Sequence, residues 1–194
     1  MTSRYIGPWR VDVQIQPSVS RPLPVRIAQL VLSIAAALDA AGAPMPASIG
    51  LILSDDAELA AVNASHMGHE GPTDVLSFPL LPAEAFPPHH GDPDRGVEAA
   101  RSPGSPPEPP DAAFFTGPPG RRTHLGDIVV SVERAIAQAA GGHGGQTGDV
   151  RWSARDELRL LVTHGALHVC GWDHAEPAEE AAMRALEQRL LAGG

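Results

Sequence analysis

The sequence predicts an α/β domain of about four strands and five helices, and three observations carry that reading. Short stretches of period-two alternation recur between longer stretches of helical spacing. The 194 residues suit one domain with an embellishment. The chain is 43% hydrophobic but only 4% aromatic, so its core must rest on Leu, Val and Ile.

In chain order, residues 10–16 alternate Val11, Val13 and Ile15 with polar neighbours, the pattern of a half-buried strand. A helix follows over 25–41, with Ile27, Leu30, Val31, Ile34 and Leu38 on its buried face and Gly42 at its end. Residues 48–53 form a second strand. Ser54, Asp55 and Asp56 offer a cap for a helix through Leu59, Val62 and Asn63 to about Met67. Residues 73–80 and 127–132 read as the third and fourth strands, and 133–140 as a short helix. After a Gly-rich loop at 141–148, a long helix spans 153–170. A last helix at 176–191 carries Met183, Leu186, Leu190 and Leu191 at helical spacing.

Composition excludes several classes. Fourteen basic residues, all Arg, stand against 23 acidic ones for a net charge of −9, which opposes a protein that coats nucleic acid through bulk charge. The single Cys170 rules out a disulfide framework or a cysteine-based zinc ribbon. Residues 1–5 lack the apolar stretch of a signal peptide. The longest apolar run, 27–41, is interrupted by Gln29, Ser33 and Asp39 and is too short to span a bilayer. The expectation is a soluble cytoplasmic protein.

One segment differs in kind. Residues 81–120 hold 11 prolines and 5 glycines with almost no periodicity, and proline at that density breaks both ladders and helices. A disordered insertion is therefore expected over 81–122, between the third and fourth strands of a single domain covering 1–194. The eight charges of residues 81–120 sum to −4, so that segment would repel phosphates; it is read as ornament to the catalytic machinery, with a lid over the site as the alternative.

The chemistry concentrates in the run from His164 to His174. His164 and His168 are four apart on a helix and so share one face. Gly171 can end that helix and turn the chain so that His174 returns to the same point. Three neutral imidazoles at roughly 2.0–2.1 Å from one ion leave a fourth position for water, the arrangement of catalytic zinc. A water so bound ionises near pH ~7. Three unrelated histidines are the bland alternative, and few loop geometries would return a third ligand in this way. The spacing H-x-x-x-H-x-x-G-x-x-H also fits the metzincin proteases. Those carry a general-base Glu directly after the first His, where this chain has Gly165, so a metallopeptidase is the second reading. Met183 belongs to a helical pattern and is read as core.

Three blocks, in order, resemble the YbeY family of metal-dependent endoribonucleases, also described as ribosomal RNA maturation factors. They are Pro72-Thr73-Asp74-Val75-Leu76-Ser77-Phe78-Pro79, then Leu125-Gly126-Asp127-Ile128, then the histidine run. Leu59 with Asn63 matches the family's L-x-x-x-N helix, and the region of Glu179, Glu180 and Met183 its terminal helix. The resemblance implies an α/β (α+β) fold with a small mixed four-stranded sheet packed with about five helices. It implies one Zn(2+) per chain on His164, His168 and His174. The implied activity is hydrolysis of single-stranded RNA in 16S ribosomal RNA 3′-end maturation and ribosome quality control. Its implied partners are RNA and ribosome components, without membrane or DNA. Many relatives carry Arg four positions after the helix Asn; Met67 stands there, leaving His66 and His69 as candidate substitutes. A non-catalytic assembly factor with a structural metal is the third reading, favoured by Met67 and the acidity.

The remaining candidates have mixed readings. Asp74 is a turn-capping carboxylate or part of the site wall. Asp127 is structural or supports a metal ligand from behind. His124 borders the cleft or is surface; these three are the catalytic candidates. Thr73 and Ser77 join His66 and His69 as substrate-binding candidates. Asp173 either orients His174 or is exposed. Arg121 and Arg122 are the adjacent basic pair, and Arg151, Arg155 and Arg159 form a stripe expected to be a solvated face, with phosphate contact the minority reading.

Overall fold

The computed structural model describes residues 1–66, 71, 73–89, 122–141 and 153–193. Its elements are β1 (Thr2–Ile6), β2 (Trp9–Ile15), α1 (Ile27–Ala40), β3 (Ala47–Ser54), α2 (Asp56–His66), β4 (Val75–Pro79), β5 (Thr123–Ser131), α3 (Val132–Ala140), α4 (Ala154–Val169) and α5 (Pro177–Ala192). The sheet order is β1-β2-β3-β5-β4. The inner strands β2, β3 and β5 run parallel, and the edge strands β1 and β4 run antiparallel to their neighbours.

Alternation along the inner strands sorts the two faces. Val11, Val13, Ile49, Leu51, Ile128 and Val130 point into the main core, with Leu30, Ile34 and Leu38 of α1 and Leu158, Val162 and Leu167 of α4. The other face carries a smaller cluster of Leu59, Leu76 and Val129 beneath α2. The buried Trp9 indole donates to Asp39 at 2.8 Å, which ties β2 to α1 and satisfies the ring N–H. None of the helices of the described residues is long and apolar enough to cross a membrane.

Two expectations need correction. The sheet has five strands, because Thr2–Ile6 pairs with β2 across the two-residue Gly7-Pro8 turn. Four of its five residues are exposed, so it lacks the apolar alternation by which the other strands announce themselves. Residues 81–89, expected to belong to a disordered insertion, are also placed against the domain. Ala83–Ala85 form a 3-10 turn, Leu81 packs against the core, and Phe86 is buried within it. A lone aromatic among prolines has no period to betray it, yet burying it is worth a few kcal/mol. At the far end Arg122 donates to the Pro8 carbonyl and stands 5.6 Å over the Tyr5 ring. Residues 90–121 lie outside the described residues.

The arginine stripe is corrected at Arg159 alone, since Arg155 is exposed as expected. Arg159 is buried, donating from Nε to Ser33 Oγ of α1 at 3.3 Å and from its terminal nitrogen to the Leu191 carbonyl at 3.4 Å. It pins α4 to α1 and α5 and presents no charge to solvent. Arg121 and Arg151 lie outside the described residues.

Candidate metal centre

The site grows from α4, whose start and end are both fixed locally. Ser153 accepts from the Asp156 N–H while Asp156 reaches back to the Ser153 N–H, a reciprocal capping box. At the other end the Gly171 N–H donates to the His168 carbonyl at 3.0 Å, and the Trp172 N–H to the Leu167 carbonyl at 3.1 Å. Those two bonds close a Schellman turn, which requires the left-handed backbone of Gly171 at φ 82°. A side chain there would also stand 3.0 Å from Ala83. The turn brings His174 back over the last helical turn.

The three histidines meet. Ring centroids lie 4.4 Å apart for His164 and His168, 5.0 Å for His168 and His174, and 5.6 Å for His164 and His174. One nitrogen from each falls within 4.8 Å of the others. The Nε2 atoms of His164 and His168 are 3.0 Å apart. Two nitrogens bound tetrahedrally to one zinc would stand roughly 3.3 Å apart, so the donors suit a single ion. Exposure rises along the cluster: His164 is buried, His168 partly exposed and His174 exposed. A ligand set open on one side leaves room for water or substrate.

Behind the cluster lies a residue that the sequence reading missed. Glu187 of α5, 3% exposed, meets His164 Nδ1 at 2.7 Å. The carboxylate accepts the Nδ1–H, which fixes the tautomer and turns the Nε2 lone pair toward the cluster. A signal was available, since Glu187 sits four residues after Met183 and one after Leu186, on the apolar stripe of α5. A carboxylate on a buried stripe is rarely unpaired. Glu187→Gln is expected to keep the fold and to weaken metal affinity about 10–100-fold. Competition with a chromophoric chelator measures this, and unchanged affinity would remove Glu187 from the site.

His168 is held neutral. Burial first, and then the neighbouring His164 and His174 rings, push its pKa from 6.5 down to about 4. A neutral imidazole at pH 7 is what a metal requires. The folded value lies below the ordinary one, so the associated stability is complete above pH 6.5 and falls away as the pH drops toward 4. The loss amounts to roughly 3 kcal/mol. Thermal unfolding of chelator-treated protein across that range should show the decline, and a flat midpoint would contradict it.

Gly165 explains its own identity. A Cβ there would lie 2.6 Å from Ile128 Cγ2 and 3.2 Å from both Ser77 Oγ and Val75 Cγ2. Ser77 Oγ moreover donates to the Gly165 carbonyl at 3.1 Å. The helix rests directly on β4 and β5 at this point, so the general-base Glu of the peptidase reading has no space.

A cavity of about 660 Å³ opens over the histidines, walled by Thr73, Asp74, Ser77, Trp172 and Asp173 among others. Thr73 and Ser77 thus stand where substrate-binding residues were expected. Asp74 combines both of its readings, accepting from the Val75 N–H at 2.9 Å and the Gln138 amide at 3.0 Å while lining the cavity. Asp173 accepts the His174 backbone N–H at 2.7 Å and so shapes the loop that carries the third histidine.

Asp127 and His124 do not join the site. Asp127 pairs in register with Phe78 and Gly50, and Phe78 belongs to the α2 side of the sheet. The Asp127 side chain therefore leaves from the face opposite α4. It lies 3.4 Å from His124 Nε2, and His124 Nδ1 lies 3.1 Å from Ser48 Oγ. This alternation directs the Asp127 side chain away from the histidine cavity, which a one-residue reading of the motif does not reveal. Asn63 secures the loop after α2 by donating to the Gly71 carbonyl at 3.0 Å. His69, Met67 and the His66 side chain lie outside what the structure describes.

Fold and pocket define the class: an α/β domain with a candidate three-histidine metal site in an open cleft. The model of the family described as Endoribonuclease YbeY matches residues 18–193, and the chain belongs to that family. Similar curated proteins carry the name Endoribonuclease YbeY. The one from Roseiflexus sp. is 33% identical over 93% of this chain and 90% of its own length. Those from Salinispora tropica and Symbiobacterium thermophilum are 38% and 36% identical, covering 80% and 81% of this chain and 80% and 79% of their own.

Proposed function

We propose that the chain is a zinc-dependent endoribonuclease cutting single-stranded RNA, serving 16S ribosomal RNA 3′-end maturation and ribosome quality control in the cytoplasm. The observation that carries the metal chemistry is the convergence of His164, His168 and His174, braced by Glu187, at the floor of an open cavity. The relatives' names carry the RNA. Three imidazoles suit zinc better than magnesium or calcium, which prefer oxygen donors. Zinc in this position supplies a Lewis acid that makes water nucleophilic near neutral pH. The protein's own residues do the rest. Glu187 holds His164 in the ligating tautomer, the burial of His168 keeps it unprotonated, and Thr73 and Ser77 offer hydroxyls along the wall. Asp74 is the carboxylate among the expected proton-handling residues that faces the cleft.

A structural metal in a non-catalytic assembly factor would favour a closed ligand set, whereas His174 is exposed. Incubating metal-loaded protein with a labelled RNA oligonucleotide and with casein separates the readings. RNA cleavage that disappears in His164→Ala is expected. Casein cleavage would establish the peptidase instead, and cleavage of neither would establish the assembly factor.

A further inference from the structure

Among the described residues, the cavity over the histidines has no Arg or Lys in its wall, but it has the carboxylates of Asp74 and Asp173. The described wall thus offers no cation to neutralise phosphates, the usual source of affinity for nucleic acid. An alternative source is built into the wall. Trp172, one residue past the turn glycine, is the sole Phe, Tyr or Trp among the cavity-lining residues. His89 stacks on it with ring centroids 4.1 Å apart and planes 13° from parallel. His89 Nε2 also lies 3.3 Å from the Gly171 carbonyl, so the pair is locked to the helix end. His89 is not among the cavity-lining residues, whereas Trp172 lines the cavity and packs in part against the main core. The result is a rigid aromatic plate two residues from His174.

Resting on the endoribonuclease reading, we propose that Trp172, braced by His89, is the stacking platform for an unpaired nucleobase of the bound strand. Every base has a π-face, so such a plate grips single strands without demanding a sequence. A duplex offers no unstacked base to it, which gives the site a physical reason to prefer single strands. The platform sets affinity and the path of the strand, and the histidines keep the chemistry.

The test is a cycle of two proteins against two strands, with the metal-loaded full chain. The strands are a single-stranded RNA oligonucleotide and an abasic strand of the same length and phosphate number, used as competitors of a labelled RNA. Against the wild type, the intact strand should compete roughly tenfold better than the abasic one, the fold-change that about 1.4 kcal/mol represents. Against Trp172→Leu the two should compete equally, and Trp172→Phe should restore most of the difference. Trp172→Leu should also raise KM more than it lowers kcat. Metal content, measured in each variant, shows whether the His174 loop has kept its place, and a second non-aromatic variant, Trp172→Met, carries the test if Trp172→Leu does not fold. The binding step is read separately as quenching of tryptophan emission by a 2′-O-methyl oligonucleotide, a signal that Trp172→Phe should reduce. RNA cleavage with equal competition by both strands in wild type and variants would overturn the platform and leave the endoribonuclease standing. Quenching specific to Trp172 without any RNA cleavage would support the platform and overturn the activity. Absence of both would overturn both.

Discussion

Gly165→Glu is expected to yield no folded protein. The first atom of any side chain there would sit 2.6 Å from Ile128, where α4 touches the sheet. An added methyl group in a packed core costs about 1–3 kcal/mol, and alanine recovers roughly 1 kcal/mol through helix propensity. Gly165→Ala should therefore lower the unfolding free energy modestly. Glutamate adds two methylenes and a carboxylate between helix and sheet, and an unpaired buried charge costs several kcal/mol more. That sum is comparable with the whole stability of an ordinary domain, about 5–15 kcal/mol. Expression yield and circular dichroism of Gly165→Glu, with urea unfolding of Gly165→Ala, measure both. A folded Gly165→Glu protein of normal midpoint would show that the helix can lift from the sheet and would reopen the peptidase reading.

His168→Ala is expected to lose the metal and with it RNA turnover. His168 is the middle member of the cluster, within ring contact of both other histidines. Two remaining imidazoles leave an ion with half of a tetrahedral ligand set, and one of those two is exposed. Dialysed wild type should keep one equivalent of zinc by atomic emission and the variant close to none. RNA cleavage should fall by roughly two orders of magnitude or more, because water without the metal is a poor nucleophile at pH ~7. The fold should survive, since substituting a partly buried ring at a helix end, beside an open cavity, opens no sealed void. A full equivalent of zinc in the variant would disprove the ligand assignment.

The helices and the four apolar strands were legible because their patterns repeat. Val11, Val13 and Ile15 mark a strand with one wet face, and α1 shows its buried stripe in Leu30, Ile34 and Leu38. The three histidines were legible because their geometry is local, set by one helical turn and one glycine. What escaped was non-local. Strand β1 owes its place to hydrogen bonding with β2 and to the sheet edge, which demands little of side chains. Phe86 finds the core only after the chain has folded around it. Glu187 is tied to His164 across 23 residues by a contact that neither local pattern describes. Asp127 shows the converse: its motif is visible, but the face from which its side chain leaves depends on the register with Phe78 and Gly50.

The order of the sheet has a kinetic meaning. Strand β5 lies between β3 and β4, yet residues 80–122 intervene before it can pair with β4. The closure cost of a chain connection grows only logarithmically with its length, about 0.6 kcal/mol per doubling, so sequence separation of this size weighs little on the stability of the β4–β5 pairing. The search for that pairing is slower, because contacts distant in sequence must be found before they repay the ordering of the chain. Until β5 arrives, β3 presents an open edge carrying Ile49, Leu51 and Leu53, a surface on which a second unfinished chain could add a strand. Helix α4 rests on β4 and β5 as well as on α1 and α3. The helix carrying His164 and His168 is thus seated on the strands that close last in this scheme, and the capture of a metal ion during refolding is expected to coincide with closure of the sheet.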